Sequence, residues 1–134
     1  MIAMALVGGL AGCGTSDRDD VQAKVQQFLH ATAAKDAKTL CDQVLAPSLL
    51  ERLATGGITC RQAMQIFVGN VQNPTLSIGR IDISGQTARA ITLTSARGQE
   101  GSLDAIQLIK TDHGWRISSL GSPVIPPPAK AKGK

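Results

Sequence analysis

The cysteines are the residues of this sequence with the clearest chemical potential. The 134-residue chain has three of them, Cys13, Cys41 and Cys60, together with two histidines and no tyrosine. A thiol can be acylated, oxidised to a disulfide or used as a metal ligand, and each outcome needs different surroundings. The lack of tyrosine excludes any active site that depends on a phenolic hydroxyl.

Cys13 follows a short apolar segment, residues 2–10, and completes the sequence Leu10-Ala11-Gly12-Cys13. The segment has the length of the hydrophobic region of a secretory signal and is too short to span a bilayer. Its end resembles the lipobox of bacterial lipoproteins, in which the cysteine thiol receives a diacylglycerol and the preceding peptide is removed. The resemblance implies a signal peptide at residues 1–12, lipidation of Cys13 and a polar tether at residues 13–18.

One observation leaves alternatives to the lipobox open. No Lys or Arg precedes the apolar segment, although signal peptides carry a positive N-terminal region. The natural translation start could therefore lie upstream of Met1. A buried N-terminal strand with a chance cysteine is the competing interpretation. If the lipobox is real, the protein is extracytoplasmic and bound to the cell membrane through its lipid.

With Cys13 lipidated, Cys41 and Cys60 remain as an even pair in an oxidising compartment, where disulfides form. A bond between them would close a loop of about 20 residues and stabilise the fold by about 3 kcal/mol on the chain-entropy estimate. Two free buried thiols and a metal pair are the alternatives. His30 and His113 lack the spacing to these cysteines that a metal site needs, so neither a metal nor a cofactor is predicted.

The sequence has no recognisable catalytic signature. It lacks a serine nucleophile elbow, a glycine-rich phosphate loop with lysine and a histidine-rich metal motif. Asp42, Asp82 and Asp104 fall at positions predicted to lie on exposed faces. His30 is predicted to lie at the boundary of the first helix or in solvent, with a ligand role as the alternative, and it has no assignable partner. No catalytic residue is therefore predicted, and an Asp–His pair that the spacing does not reveal is left as the alternative.

Charge and composition argue against a nucleic-acid partner. The net charge is +4, but Lys130, Lys132 and Lys134 supply three of these charges and leave the body of the chain nearly neutral. Aromatic residues make up only 2% of the sequence, so the core must be built from aliphatic side chains. Residues 122–134, rich in Pro and Lys, are predicted to form a disordered tail that either touches anionic surfaces or has no role.

Helical periodicity occupies the first half of the chain. A stripe of inward-facing residues predicts a helix over residues 20–34, with Asp19 or Asp20 as its N-cap. Further helices are expected to begin after Asp36, at Pro47 and after Thr59, where Thr59 and Gln62 fit a capping box. The stripe of the first helix consists of Val21, Val25, Phe28, Leu29 and Thr32.

After Pro74 the periodicity becomes that of strands. The first predicted strand changes the face of its apolar residues at Gly79, which indicates a β-bulge. The second, residues 87–94, has Ile91 and Leu93 on either side of Thr92. The third, residues 100–110, is expected to face the core with Ile106 and Leu108. A tight turn at residues 112–114 leads to a fourth strand that ends near residue 120.

Helices followed by antiparallel strands predict an α+β fold, with N-terminal helices packed on a curved four-stranded antiparallel sheet. Two patterns sharpen this: Val25-x-x-Phe28-Leu29-x-Ala31 before Lys35-Asp36, and Ile106-x-Leu108-x-Lys110-x-Asp112-x-Gly114-Trp115-Arg116-Ile117. Together they resemble the nuclear transport factor 2-like superfamily, the cystatin-like α+β cone shared with ketosteroid isomerases and polyketide cyclases. The chain is similar to short secreted members with a lipobox and two cysteines. The resemblance covers about residues 19–121.

The resemblance implies a pocket at the open end of the cone, and core packing is the alternative role for each residue expected to line it. One functional hypothesis is a non-catalytic module that binds a small apolar ligand or an envelope protein, with a second copy of the chain as another candidate partner. The other is an isomerase, dehydratase or cyclase, which would need a buried carboxylate or histidine facing the cavity. The expected lining residues are Phe28, Phe67, Ile106, Leu108, Trp115 and Ile117.

Overall fold

The computed structural model describes residues 16–123. The predicted signal peptide (1–12), the lipidation site Cys13, the first part of the tether and residues 124–134 of the predicted tail lie outside the described residues. Residues 122 and 123, assigned to the disordered tail from the sequence, are instead the last two residues of the fourth strand. The helices are α1 (Asp17–Ala33), α2 (Ala37–Thr39), α3 (Pro47–Thr55) and α4 (Cys60–Gly69), and a π-helix (Leu40–Val44) directly continues α2. The strands are β1 (Thr75–Ser84), β2 (Thr87–Ala96), β3 (Gln99–Thr111) and β4 (Gly114–Pro123).

Helix α1 begins three residues earlier than the sequence predicts. The hydroxyl of Ser16 accepts a hydrogen bond from the backbone N–H of Asp19 at 3.2 Å, so Ser16, and neither Asp19 nor Asp20, is the N-cap. Asp17, Asp19 and Asp20 all lie in the first turn, where their negative charges are stabilised by the helix dipole. Asp17 and Arg18, assigned to the tether from the sequence, are therefore helical.

The other helix starts are confirmed. Asp36 accepts the N–H of Thr39 at 3.0 Å and caps α2, and Pro47 occupies the first turn of α3. Both bonds of the capping box are present in α4, since Thr59 Oγ1 and Gln62 Oε1 each accept the backbone N–H of the other residue at 3.1 Å. The π-helix was not predicted, because its wider turn leaves no distinct residue signal.

The four strands form one antiparallel sheet in the order β1-β2-β3-β4. The β-bulge at Gly79 is confirmed, since Ile78 and Arg80 pair with the adjacent residues Thr92 and Ile91 and leave Gly79 as the extra residue. The register also shifts between β3 and β4. Such irregularities increase the local bend and twist of a sheet.

Helix α1 packs on one face of the sheet, here called the inner face. In β2 the residues on this face are Ala88, Ala90 and Thr92, all buried, whereas Leu93 points outward and is 53% exposed. The apolar pair Ile91 and Leu93 therefore does not face the core. Small side chains on β2 leave room for α1, which contributes its own bulky residues to the same core.

The core lies between α1, the π-helix and the inner faces of β3 and β4. The segment after the π-helix closes it, since Leu45 forms a parallel bridge with Ile117 and the N–H of Ala46 donates to the carbonyl of Ile117 at 2.7 Å. No helix among the described residues is long and apolar enough to cross a membrane. The largest fully buried side chains in the core are Leu40, Leu45, Ile106, Leu108 and Ile117.

Candidate ligand-binding pocket

A pocket of about 250 Å³ opens between α1, α4 and the inner face of the sheet. Its mouth lies beside the β2–β3 hairpin, where Ala96 and Gln99 belong to the lining, and beside the connection from α4 to β1. Its walls are mainly apolar side chains from both helices, this connection and three strands. They are Phe28, Leu29, Phe67, Val71, Pro74, Leu76, Ile106 and Leu120.

The two phenylalanines of the chain form one wall of the pocket. Phe28 of α1 and Phe67 of α4 have ring centroids 6.0 Å apart and planes inclined by 23°, which is an offset stacked arrangement. Phe28 is buried and Phe67 is half-buried. The stacked rings join α4 to α1 and present an apolar surface to the cavity.

A polar cluster lies on the sheet side of the pocket. Thr94 Oγ1 donates to one carboxylate oxygen of Asp104 and Ser102 Oγ donates to the other, each at 2.8 Å. The antiparallel register places Thr94 opposite Ser102, so all three side chains lie on the inner face. Each carboxylate oxygen can accept a further hydrogen bond, since an ionised carboxylate has about four acceptor sites.

Asp104 is therefore half-buried in a cavity, and its predicted position on an exposed face is wrong. The strand pattern itself contained the signal that identifies it. Asp104 shares its face with Ile106 and Leu108, which were predicted to point inward, and alternate residues of a strand lie on the same side. The polarity of the side chain obscured this alternation.

The residues expected to line the cone fall into two groups in the structure. Phe28, Phe67 and Ile106 line the pocket. Leu108, Trp115 and Ile117 do not, because they are buried near the opposite end of the sheet, where Leu108 pairs with Ile117 across β3 and β4. These three residues therefore pack in the core and do not line this pocket.

Trp115 also fastens the beginning of α1 to the β3–β4 hairpin. Its indole N–H donates to Asp17 Oδ1 at 3.1 Å, and the Lys110 ammonium contacts the same oxygen at 2.9 Å. The hydrogen bond from Lys110 and, to a smaller extent, the one from Trp115 lower the pKa of Asp17 below its usual value. The N-terminus of α1 is thus held at the opposite end of the sheet from the pocket mouth.

The remaining candidate groups lie on the surface. His30 is exposed on α1, as predicted. Asp42 and Asp82 are also exposed, and they form ion pairs with Lys38 at 2.6 Å and Arg80 at 3.0 Å. Such exposed pairs contribute little to stability. Within residues 16–123, no group of His, Cys, Asp and Glu side chains is arranged to hold a metal ion.

The disulfide predicted between Cys41 and Cys60 is confirmed. It joins the π-helix to the first turn of α4, with the two Cα atoms 5.9 Å apart, so free thiols and a metal pair are both excluded for these residues. The bond therefore anchors α4, the helix that carries the pocket residue Phe67, to the π-helix. A structural disulfide fits an extracytoplasmic domain, because such bonds persist in oxidising compartments.

No protein-family model matches this sequence, and no curated protein is significantly similar to it. Solved structures are similar in fold. An NTF-2-like protein of unknown function from Silicibacter pomeroyi superposes with a TM-score of 0.56 at 14% identity, covering 76% of this chain and 90% of its own. A proposed dehydratase from the NTF2-like family of Streptomyces avermitilis superposes with a TM-score of 0.56 at 18% identity. The superposition covers 82% of this chain and 97% of the dehydratase.

A third similar structure is a protein from Kribbella flavida, with a TM-score of 0.55, 15% identity and coverages of 81% and 91%. Similarity at these low identities concerns the backbone and carries no activity with it. The order of elements in this chain agrees with the similarity of fold, because the helices precede a single antiparallel sheet that is not closed into a barrel. The chain has the nuclear transport factor 2-like fold, an open α+β cone.

Proposed function

We propose that this protein is a membrane-anchored extracytoplasmic lipoprotein whose domain binds a small, largely apolar ligand without transforming it. The observation that carries the proposal is the pocket between α1, α4 and the sheet, with its aromatic wall and its few polar groups. Ligand sites combine apolar walls with a small number of placed polar side chains in this way. A volume of about 250 Å³ favours a ligand smaller than a typical drug molecule.

The polar groups of the pocket favour binding over catalysis. Proton-transfer chemistry generally needs one group that accepts a proton and another that donates one or stabilises the developing charge. Asp104 could accept a proton, but the hydroxyls nearest to it, on Thr94 and Ser102, already donate to its own oxygens. Apart from Asp104, the charged side chain in the lining is the exposed Glu100.

An enzyme of the dehydratase, isomerase or cyclase type is the second candidate, and one observation favours it. Asp104 is a half-buried carboxylate that faces the cavity, which is where a general base would lie. The similar protein from Streptomyces avermitilis is described as a proposed dehydratase. For this activity a substrate would have to displace one of the hydroxyl donors from Asp104, so that the donor could act on the reacting oxygen.

The anchor proposed at Cys13 would orient the pocket away from the membrane. Cys13 is four residues before Asp17, a separation of at most about 14 Å, and Asp17 is bound to Trp115 at the β3–β4 hairpin. Strand β3 runs from this hairpin to the pocket mouth over 13 residues, or roughly 40 Å. A ligand would therefore enter from the aqueous side and not from the bilayer.

Two measurements test the proposal. For the anchor, Cys13→Ala should release the protein from membranes of cells that secrete it, whereas Cys41→Ala, as the matched control, should leave membrane retention unchanged. Retention of the Cys13→Ala protein would contradict the lipid anchor.

For the pocket, octanol is titrated into the domain while the ring resonances of Phe28 and Phe67 are followed by NMR. Leu29→Trp, which places a large ring in the pocket wall, should weaken binding at least about tenfold, a loss of about 1.4 kcal/mol. The control His30→Trp adds the same ring at the next, exposed position of α1. Equal effects of the two variants, or unmoved ring resonances in the unmodified domain, would refute a binding pocket here.

A further inference from the structure

The pocket is acidic as well as apolar. The charged side chains in its lining are Asp104 on the sheet and Glu100 near the mouth, and no Lys, Arg or His belongs to the lining residues that the structure describes. This contrasts with the chain as a whole, which has a net positive charge. The negative potential is therefore a local property of the cavity.

Asp104 differs in its partners from the three aspartates that form ion pairs. Asp17, Asp42 and Asp82 each contact a lysine or arginine within 3.0 Å. Among the described residues, Asp104 forms no such ion pair, and its side chain accepts hydrogen bonds from two neutral hydroxyls. A carboxylate that faces an apolar cavity without a counter-charge is placed to receive a cation, since opposite charges attract strongly where water is partly excluded.

We infer that the ligand of this pocket is a cationic amphiphile, an organic amine with a short apolar body. The inference rests on the proposed binding function. The ammonium group of such a ligand would donate hydrogen bonds to the free acceptor sites of Asp104, and its apolar body would pack against Phe28 and Phe67. Charge-assisted hydrogen bonds of this kind are roughly twice as strong as neutral ones.

The same charges give the pocket its selectivity. A fatty acid of equal length would place its carboxylate beside Asp104 and Glu100, and like charges brought together in a partly desolvated site are strongly unfavourable. A neutral alcohol can donate to Asp104 but gains no charge pairing. The order of affinity should therefore be amine, then alcohol, then carboxylate.

The test compares octylamine, octanol and octanoate, which share one alkyl chain and differ in the headgroup. Each is titrated calorimetrically into the wild-type domain at neutral pH. Octylamine should bind about tenfold more tightly than octanol, and octanoate should bind most weakly. Asp104→Asn should remove the preference for the amine while leaving octanol binding within about twofold. Asp82→Asn, which makes the same charge change on the outer face of β1, should preserve the preference.

The outcomes separate this inference from the function on which it rests. Equal affinity for octylamine and octanol in the wild type, or tighter binding of octanoate, overturns the cationic ligand and leaves a general apolar pocket. Failure of all three compounds to bind overturns the pocket itself. The wild-type headgroup comparison requires no substitution, so it decides the inference even if the Asp104→Asn domain does not fold.

Discussion

Removal of the Cys41–Cys60 bond should destabilise the domain by about 3 kcal/mol. The bond joins two cysteines that are 19 residues apart in the sequence and so closes a loop of that length. Closure of such a loop lowers the entropy of the unfolded chain by about 11 cal/mol/K, which is about 3 kcal/mol at room temperature. Both cysteines are half-buried beside the core, so alanine is the replacement that introduces no unpaired polar atom.

The double variant Cys41→Ala/Cys60→Ala should therefore melt about 12–20 °C below the oxidised domain, as expected for a domain of this size. Circular dichroism measures the melting, and urea titration should give a higher m-value, because the unlinked unfolded chain exposes more surface. The wild type in reductant is the control, since it loses the bond without losing any side-chain volume.

A difference of less than about 2 °C between the oxidised domain, the reduced domain and the double variant would refute the chain-entropy reasoning. A loss of stability in the variant alone, with the reduced wild type unchanged, would refute it as well. In that case the destabilisation would come from lost packing around α4 and not from the cross-link.

Two further predictions concern the end of the domain opposite the pocket. Hydrogen bonds from Lys110 and Trp115 lower the pKa of Asp17, so the contribution of this carboxylate to stability is present above its ordinary pKa of 3.8 and is lost as the pH falls through the lowered value. Acid titration followed by Trp115 fluorescence should show this loss, and Asp17→Asn should flatten that part of the profile; an unchanged profile would contradict the assignment. Gly114 begins β4 at φ 93°, a backbone conformation in which an L side chain is strained. Gly114→Ala should therefore lower the free energy of unfolding, measured by urea denaturation, by about 1–3 kcal/mol. The control Gly69→Ala lies in a helix with open space at its Cβ position and should be neutral or slightly stabilising. Equal effects of the two alanine variants would contradict the strained turn.

Features that depend on a few neighbouring residues were predictable from the sequence. The capping box of Thr59 and Gln62, the helix opened by Pro47 and the bulge at Gly79 all follow from chemistry within one turn or one strand. The Cys41–Cys60 bond could also be predicted, because an even pair of cysteines in an oxidising compartment has few other outcomes.

One local feature was missed: Ser16 was overlooked as a cap because three acidic residues beside it give a stronger local signal. Features that depend on distant parts of the chain were predicted less well. The sequence pattern placed Ile91 and Leu93 on the same face of β2 without deciding which face is inner, and the inner face uses Ala88, Ala90 and Thr92 because α1 occupies the space above them. Hydrophobicity alone does not report how much room the opposite element leaves.

The sequence by itself determined the α+β order of elements, most helix starts and the covalent link. Only the tertiary structure decided where the cavity lies and what faces it. It placed Trp115 and Ile117 in the core and brought Phe28 and Phe67 together from helices about 40 residues apart. It also placed Asp104 at the pocket with no basic side chain among the described lining residues. A local pattern fixes the direction of a side chain relative to its own backbone, whereas a cavity exists only where several separately determined surfaces fail to fill the space between them.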